Sequence, residues 1–326
     1  MGDRNPAITR RDLLAGVGVA LATVPWRPTA AVSGQATPSL EYALAEPIDA
    51  ARIARVGVYP ALGISRVGNS LDWFLAPEVP GLPPVPDGSY KSGPNDIKKQ
   101  AQRFRLFAFD AEGEVLGELT AADADIRWTV HVANTKAAWY GFSNPLDNGE
   151  KAPGLPGQRR NNAIVGNDAR AKRLVINPGA RSISGVSANA DGEDPSAMFI
   201  APFWETLEVN LGHLQTDESG RLIVVPGDGV SESATPNNPI SNFADNDGWQ
   251  DDWCDGPVRA SVTFANGSTF EADPAWVVCC GPDFAPEIPP VVSLWDVMTE
   301  VAIDAGWMEP PPRPLSFREH LYPIFR

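Results

Sequence analysis

The chain has 326 residues and a formal net charge of −15, from 41 acidic against 26 basic side chains. That balance excludes a nucleic-acid partner, which needs clustered Lys and Arg, while the length suffices for one large domain or two small ones. Frequent Pro (32) and Gly (29) suit a loop-rich β protein, and three cysteines are too few for an extracellular disulfide framework.

Arg10-Arg11 precede an Ala/Gly-rich apolar run from Leu13 to Val24. The run is too short to span a bilayer, so no membrane partner is expected, but it suits the core of a signal segment. The paired arginines predict a twin-arginine signal peptide over 1–31 and export to the periplasm or beyond. Thr29-Ala30-Ala31 offers a cleavage site, with Ala36 as an alternative. An extended leader is expected over 32–54.

From Val56 the pattern is mostly β. Phe104–Phe109 and Glu114–Leu119 flank the turn Asp110-Ala-Glu-Gly113, which reads as a hairpin. Arg127–Val132 alternates polar and apolar residues and predicts a strand. A second hairpin joins Thr206–Leu214 to Leu222–Val225 through Asp217-Glu-Ser-Gly220. A third joins Val258–Phe264 to Thr269–Glu271 through Ala265-Asn-Gly-Ser268. Trp276–Cys280 reads as a strand with Cys279 and Cys280 on opposite faces; a vicinal disulfide is the other option for that pair.

The tract Gly141–Ala171 is rich in Asn, Gly and Pro, and reads either as a functional loop or as a surface excursion. Leu294, Val297, Met298 and Val301 recur at helical spacing behind a Ser293 cap, so a C-terminal helix should run to Gly306. The expected class is mainly β: a hairpin-rich, sandwich-like domain over 55–308 with long loops and one C-terminal helix. A Pro-rich linker (Pro310-Pro-Pro-Arg-Pro314) and the apolar segment Leu315–Arg326 follow. Together 309–326 read as the approach to a further half that would bury them.

Several segments between Tyr59 and Tyr140 carry a more particular signal. They are Tyr59-Pro-Ala-Leu-Gly-Ile-Ser-Arg-Val-Gly-Asn69, Glu78-Val-Pro-Gly81, Ile97–Arg105, Ile126–Asn134 and Lys136–Tyr140. Asn177–Ile183, Leu211–Asp217, Phe243–Trp249 and Pro282–Pro286 extend the match more loosely. The whole resembles the N-terminal half of the L-lysine epsilon-oxidase and glycine oxidase family of amino-acid oxidases. The resemblance implies oxidative deamination in the intact proteins, giving ammonia and hydrogen peroxide. It also implies a cysteine tryptophylquinone carried by the C-terminal half, so no cofactor is expected within this chain. A separately encoded C-terminal half, a flavoprotein maturation enzyme and an oligomeric mature form are the partners it implies. The alternatives are a non-catalytic exported binding or structural protein, or a truncated remnant.

Read directly, the residues offer few catalytic groups. Trp253-Cys254 beside Asp251, Asp252 and Asp255 superficially supplies the parts of a Cys–Trp cross-link, but adjacent side chains generally point apart. Asp245, Asp247, Asp251, Asp252 and Asp255 form an acidic stretch that either presents oxygens to a hard cation or makes a tight Asx-rich turn. Its spacing does not match an EF-hand loop. His131 lies near Trp128 and Trp139 and reads as a half-buried structural histidine; His213 and His320 have no metal-ligand spacing. Arg66, Asn69, Arg103 and Arg105 fall within the matching motifs and read as structural. No catalytic residue can be named from the sequence.

Overall fold

The computed structural model describes residues 48–79, 82–139, 159–235, 237–241, 246–282 and 294–310. The chain divides into two units, Met1–Ala45 and Glu46–Arg326, the first of which lies outside the described residues. The signal segment with Arg10 and Arg11, and also Asp245, Ser293 and His320, therefore lie outside them.

The first strands are β1 (Arg55–Tyr59), β2 (Leu62–Arg66), β3 (Trp73–Leu75), β4 (Lys91–Gly93), β5 (Asp96–Ile97), β6 (Lys99–Phe109), β7 (Val115–Leu119) and β8 (Asp125–Val130). A short helix, α1 (Asn167–Leu174), leads to β9 (Arg181–Ser184), β10 (Met198–Phe203), β11 (Leu207–Thr216) and β12 (Leu222–Pro226). The remainder are β13 (Ser231–Ser233), β14 (Trp249–Asp251), β15 (Cys254–Thr263), β16 (Thr269–Glu271), β17 (Ala275–Cys280) and helix α2 (Leu294–Asp304).

A 13-stranded sheet has the spine β10-β11-β12-β6-β2-β17-β15-β8-β9, with β1, β3 and β7 on β6 and β16 on β15. The protein is thus mainly β, as its sequence pattern predicts. The three expected hairpins are β6/β7, β11/β12 and β15/β16. Their turns form for local reasons. Asp110 Oδ1 accepts the amides of Glu112 and Glu114, and Asp217 Oδ1 those of Ser219 and Arg221. Gly267 takes the left-handed φ of +85° that its turn requires.

Helix α2 closes as expected. Gly306 has φ +73°, and Trp307 N–H returns to the Ala302 carbonyl at 2.7 Å while Gly306 N–H bonds Ile303, a Schellman ending. Helix α1 is an addition at the end of the Asn/Gly-rich tract. It is too short for a periodic signal, and its N-terminal residue Gly166 has no side chain to cap it. The fold also starts before the expected leader boundary: Ile53 is buried and Ile48 packs against the same core.

That core is one continuous cluster, including Phe104, Leu106, Trp128, Phe199, Phe203, Leu211 and Val258. Trp128 is 1% exposed and places its indole N–H on the Gly220 carbonyl at 2.9 Å, so its polar edge is satisfied inside. A smaller cluster of Ala101, Ile223 and Val225 sits with Trp73 and Leu75. Successive β12 residues alternate between the two clusters, which explains why Leu-Ile-Val-Val is apolar throughout. Gly256 lets β15 meet β8, because a Cβ there would lie 1.9 Å from the His131 carbonyl oxygen.

Residues of the early motifs tie strands together. Asn69 accepts the Ile97 amide and donates to the Asn95 carbonyl, and Arg66 donates to the Gly281 carbonyl. Glu78 is clamped by Arg103 and Arg105, which extends through Glu118 to Arg221. Burial works to raise the Glu78 carboxyl, but the hydrogen bonds from the two arginines outweigh it and hold it below its ordinary value.

Candidate functional site

A group of polar side chains gathers around the turn 226–230, between β12 and β13. β6 supplies Lys99, whose side chain is 8% exposed and whose ammonium meets Asp228 at 2.5 Å. β11 supplies Asn210, which donates to the other Asp228 oxygen, and the half-buried His213. Burial, reinforced by the nearby Lys99 cation, lowers the His213 pKa to about 4. The ring is therefore neutral near pH 7, and its Nε2 accepts from Gln215 Nε2 at 3.1 Å.

On the other side of the turn stands Asp252, only 2% exposed. Its Oδ2 accepts the amides of Gly229 (2.7 Å) and Val230 (3.1 Å), while Oδ1 is buried without a partner. Burial pushes this carboxyl up to about 6, because two backbone hydrogen bonds do not replace the water it has lost. Gly227 makes the close approach possible: a Cβ there would lie 2.5 Å from Asp252 Oδ2 and 2.6 Å from the Asn210 carbonyl oxygen.

The other described aspartates of the acidic stretch diverge. Asp251 holds Lys136 at 2.5–2.6 Å and Asn134 at 3.1 Å, with the Lys136 ammonium 4.3 Å above the Trp253 ring. Asp247 accepts the Asn161 amide, and Asp255 accepts the Trp276 indole N–H at 2.9 Å. Each is bound to a different and mostly distant neighbour, with one local Asx bond from Trp253 N–H to Asp251 Oδ1, and among the described residues no three of His, Cys, Asp and Glu converge to hold a metal ion.

Trp253 and Cys254 part ways. The Trp253 ring faces Lys136 and Gly281, whereas the Cys254 sulfur turns inward toward the Leu211 carbonyl and Cys279. This dipeptide does not fit a Cys–Trp cross-link. The group around Ile126–Tyr140 also separates: Trp128 points into the core, Trp139 is 62% exposed, and His131 bonds Asn177 at 2.7 Å.

A cavity of about 450 Å³ lies elsewhere, lined by Asn161, Ile164, Arg173, Trp204, Asn237 and Asn238. Asn161, Trp204 and Asn237 all have left-handed φ (52°, 54° and 59°). The Arg173 guanidinium stacks 4.6 Å over Trp204, and its buried Nε has no hydrogen-bond partner. Neither this cavity nor the Lys99–Asp228–His213 group was foreseen. The available signals were a lysine opening an otherwise buried strand and the turn Pro226-Gly-Asp-Gly229.

The described region is therefore a braced sheet with polar turns, in which no nucleophile is paired with a base. The sequence profile of the L-lysine epsilon oxidase N-terminal family matches residues 59–279. The L-lysine 6-oxidase of Marinomonas mediterranea is 34% identical over 278 residues, covering 76% of this chain and 37% of the relative. Among solved structures, the epsilon-lysine oxidase of that organism aligns with TM-score 0.56 at 33% identity, covering 76% of this chain and 39% of the other. Its Schiff base intermediate with L-Lys aligns with TM-score 0.55 at 32% identity and the same coverages. This chain belongs to the L-lysine epsilon oxidase N-terminal family. It spans little more than a third of the curated relative's length.

Proposed function

We propose that this chain supplies the N-terminal scaffold of an exported, quinone-dependent amino-acid oxidase. The complete protein would convert a lysine-like or glycine-like amine to a carbonyl, releasing ammonia and hydrogen peroxide. The observation that carries this reading is the family match at 59–279, confined to 37% of a relative named for lysine oxidation. The cysteine tryptophylquinone, which would supply the electrophile for amine oxidation, belongs to sequence corresponding to the rest of that relative. That sequence would lie in the same polypeptide or in a partner. A flavoprotein maturation enzyme and an oligomeric mature form belong to the same reading.

The exposed face of α2 supports it. Val297, Met298 and Val301 are 45–55% exposed although they form the apolar stripe of the helix, a face suited to burial against further protein. Arg10-Arg11 followed by Leu13–Val24 supports twin-arginine export.

The test is intact mass with quinone staining of the purified chain, expressed with its neighbouring genes. An unmodified mass on this chain and a quinone on a co-purifying polypeptide agree with the proposal. Quinone staining on this chain by itself overturns it. A second reading, a binding protein on the same fold, is favoured by the cavity where Arg173 lies on Trp204. It predicts a soluble unmodified chain with no quinone-bearing partner.

A further inference from the structure

We propose that Cys254 and Cys279 form a disulfide that staples β15 to β17. The two cysteines are directly opposed in the antiparallel ladder, Cys254↔Cys279. Trp276 N–H bonds the Ala61 carbonyl and the Cys280 carbonyl accepts Val67 N–H, so residues 276 and 280 turn their backbone groups away from β15. By strand alternation Cys279 turns its own toward β15, making Cys254↔Cys279 a hydrogen-bonded pair. Such pairs have Cα atoms about 5.5 Å apart, inside the range of about 4.4–6.8 Å found across disulfides, and their Cβ atoms, about 5 Å apart, need to close by roughly 1 Å.

The side chains also point together. Both residues are buried, at 5% and 2% exposure, and both carry free thiols in this structure. Ser65 on β2, the register neighbour of Cys279 on the side away from β15, donates to the Cys279 sulfur at 2.7 Å, so the three side chains share one buried face of the sheet, and closing the bridge would turn that sulfur from Ser65 to Cys254. Cys280 points to the other face of β17 and is half-buried, so the vicinal pairing considered from the sequence would need the strand to distort. The neighbouring Cys279 sulfur and burial, with nearby carboxylates adding to them, disfavour the Cys254 thiolate, so the pair suits a structural cross-link better than a reactive nucleophile.

The bond forms by exchange with a disulfide-bearing oxidant, a protein dithiol oxidase or glutathione disulfide. Cys254 and Cys279 lose their thiol protons and together two electrons. One S–S bond forms in the chain, and the oxidant's S–S bond breaks to two thiols. Because the pair is enclosed once the sheet closes, exchange takes place during folding, before β17 seats between β2 and β15. The staple closes the loop 255–278, which contains β16.

The experiment refolds the full chain in a glutathione redox buffer, unfolds it with an alkylating agent and no reductant, and maps the peptides by mass spectrometry. The expected result is a Cys254–Cys279 linked pair with alkylation at Cys280 only. The chain refolded with reductant throughout should have a Tm lower by roughly 5–10 °C than the chain refolded oxidatively. The C280S variant should keep both the bridge and that shift, and the C254S/C279S double variant should lose both. Three alkylated cysteines after oxidative refolding, or any bridge through Cys280, overturns the proposal.

Discussion

The sheet around β6 and β15 and the helix α2 use the same apolar residue types to opposite ends. In the sheet, Phe104, Leu106, Val258 and Val262 are fully buried, each side chain contributing about 1.5–3 kcal/mol of burial. In α2, Val297, Met298 and Val301 stand as regular a stripe, yet remain about half exposed. The sheet is self-sufficient: its long strands find partners within the described residues. The helix has a proper ending and an amphipathic face, but its apolar stripe is left half exposed. One region is thus a finished core, and the other is the face that the proposed function assigns to further protein.

The comparison breaks most visibly in the core. Trp128→Ala removes the largest fully buried side chain and its bond to Gly220, and should cost about 3–5 kcal/mol in chemical denaturation. A loss below about 1 kcal/mol would mean the sheet is not the closed unit described.

The next largest effects concern pH. His213, lowered from 6.5 to about 4, binds its proton less readily when folded, so its contribution to stability is lost as pH falls from about 6.5 to 4. Asp252, raised from 3.8 to about 6, holds its proton when folded, so its contribution is lost as pH rises from about 4 to 6. Each amounts to about 3 kcal/mol, and in wild type the two largely cancel between pH 4 and 6. Urea denaturation across that window should show D252N gaining stability with rising pH relative to wild type, and H213Q losing it. Parallel profiles for all three proteins would remove the assignment.

Glu78→Gln should cost about 1–2 kcal/mol near pH 7, since it unclamps Arg103 and Arg105 while leaving their charges part-buried. The Glu78 contribution, from a carboxyl held below 4.5, is present above that pH and fades as pH falls through its folded value. Thermal denaturation of the variant should therefore converge on wild type in acid.

The smallest effect on stability is expected in α2. Met298→Lys and Val301→Glu should leave the chain's own stability within about 0.5 kcal/mol, because both side chains are already about half exposed. The same variants should weaken retention of a co-expressed C-terminal polypeptide in a pull-down. A large drop in Tm would instead place the helix within the core.

What the sequence disclosed follows from the range of the forces involved. The hairpins at Asp110, Asp217 and Asn266-Gly267 were legible because turn chemistry acts over a few residues. The end of α2 at Gly306 was legible for the same reason. Sheet order was not: β2 and β17 pair in parallel, joining Leu62 to Trp276, and no local pattern encodes that partnership. The Lys99–Asp228–His213 group was hidden because its members come from β6, the turn after β12, and β11. The aspartates of 247–255 looked like one acidic site, and the fold turns each to a separate donor.

The most direct test of the account is peroxide release with L-lysine or glycine as substrate. The purified chain is measured alone and then co-expressed with a polypeptide corresponding to the remaining length of the relatives. The account predicts no peroxide from the chain alone and amine-dependent peroxide from the pair, with the quinone on the second polypeptide. Peroxide from this chain by itself would contradict it.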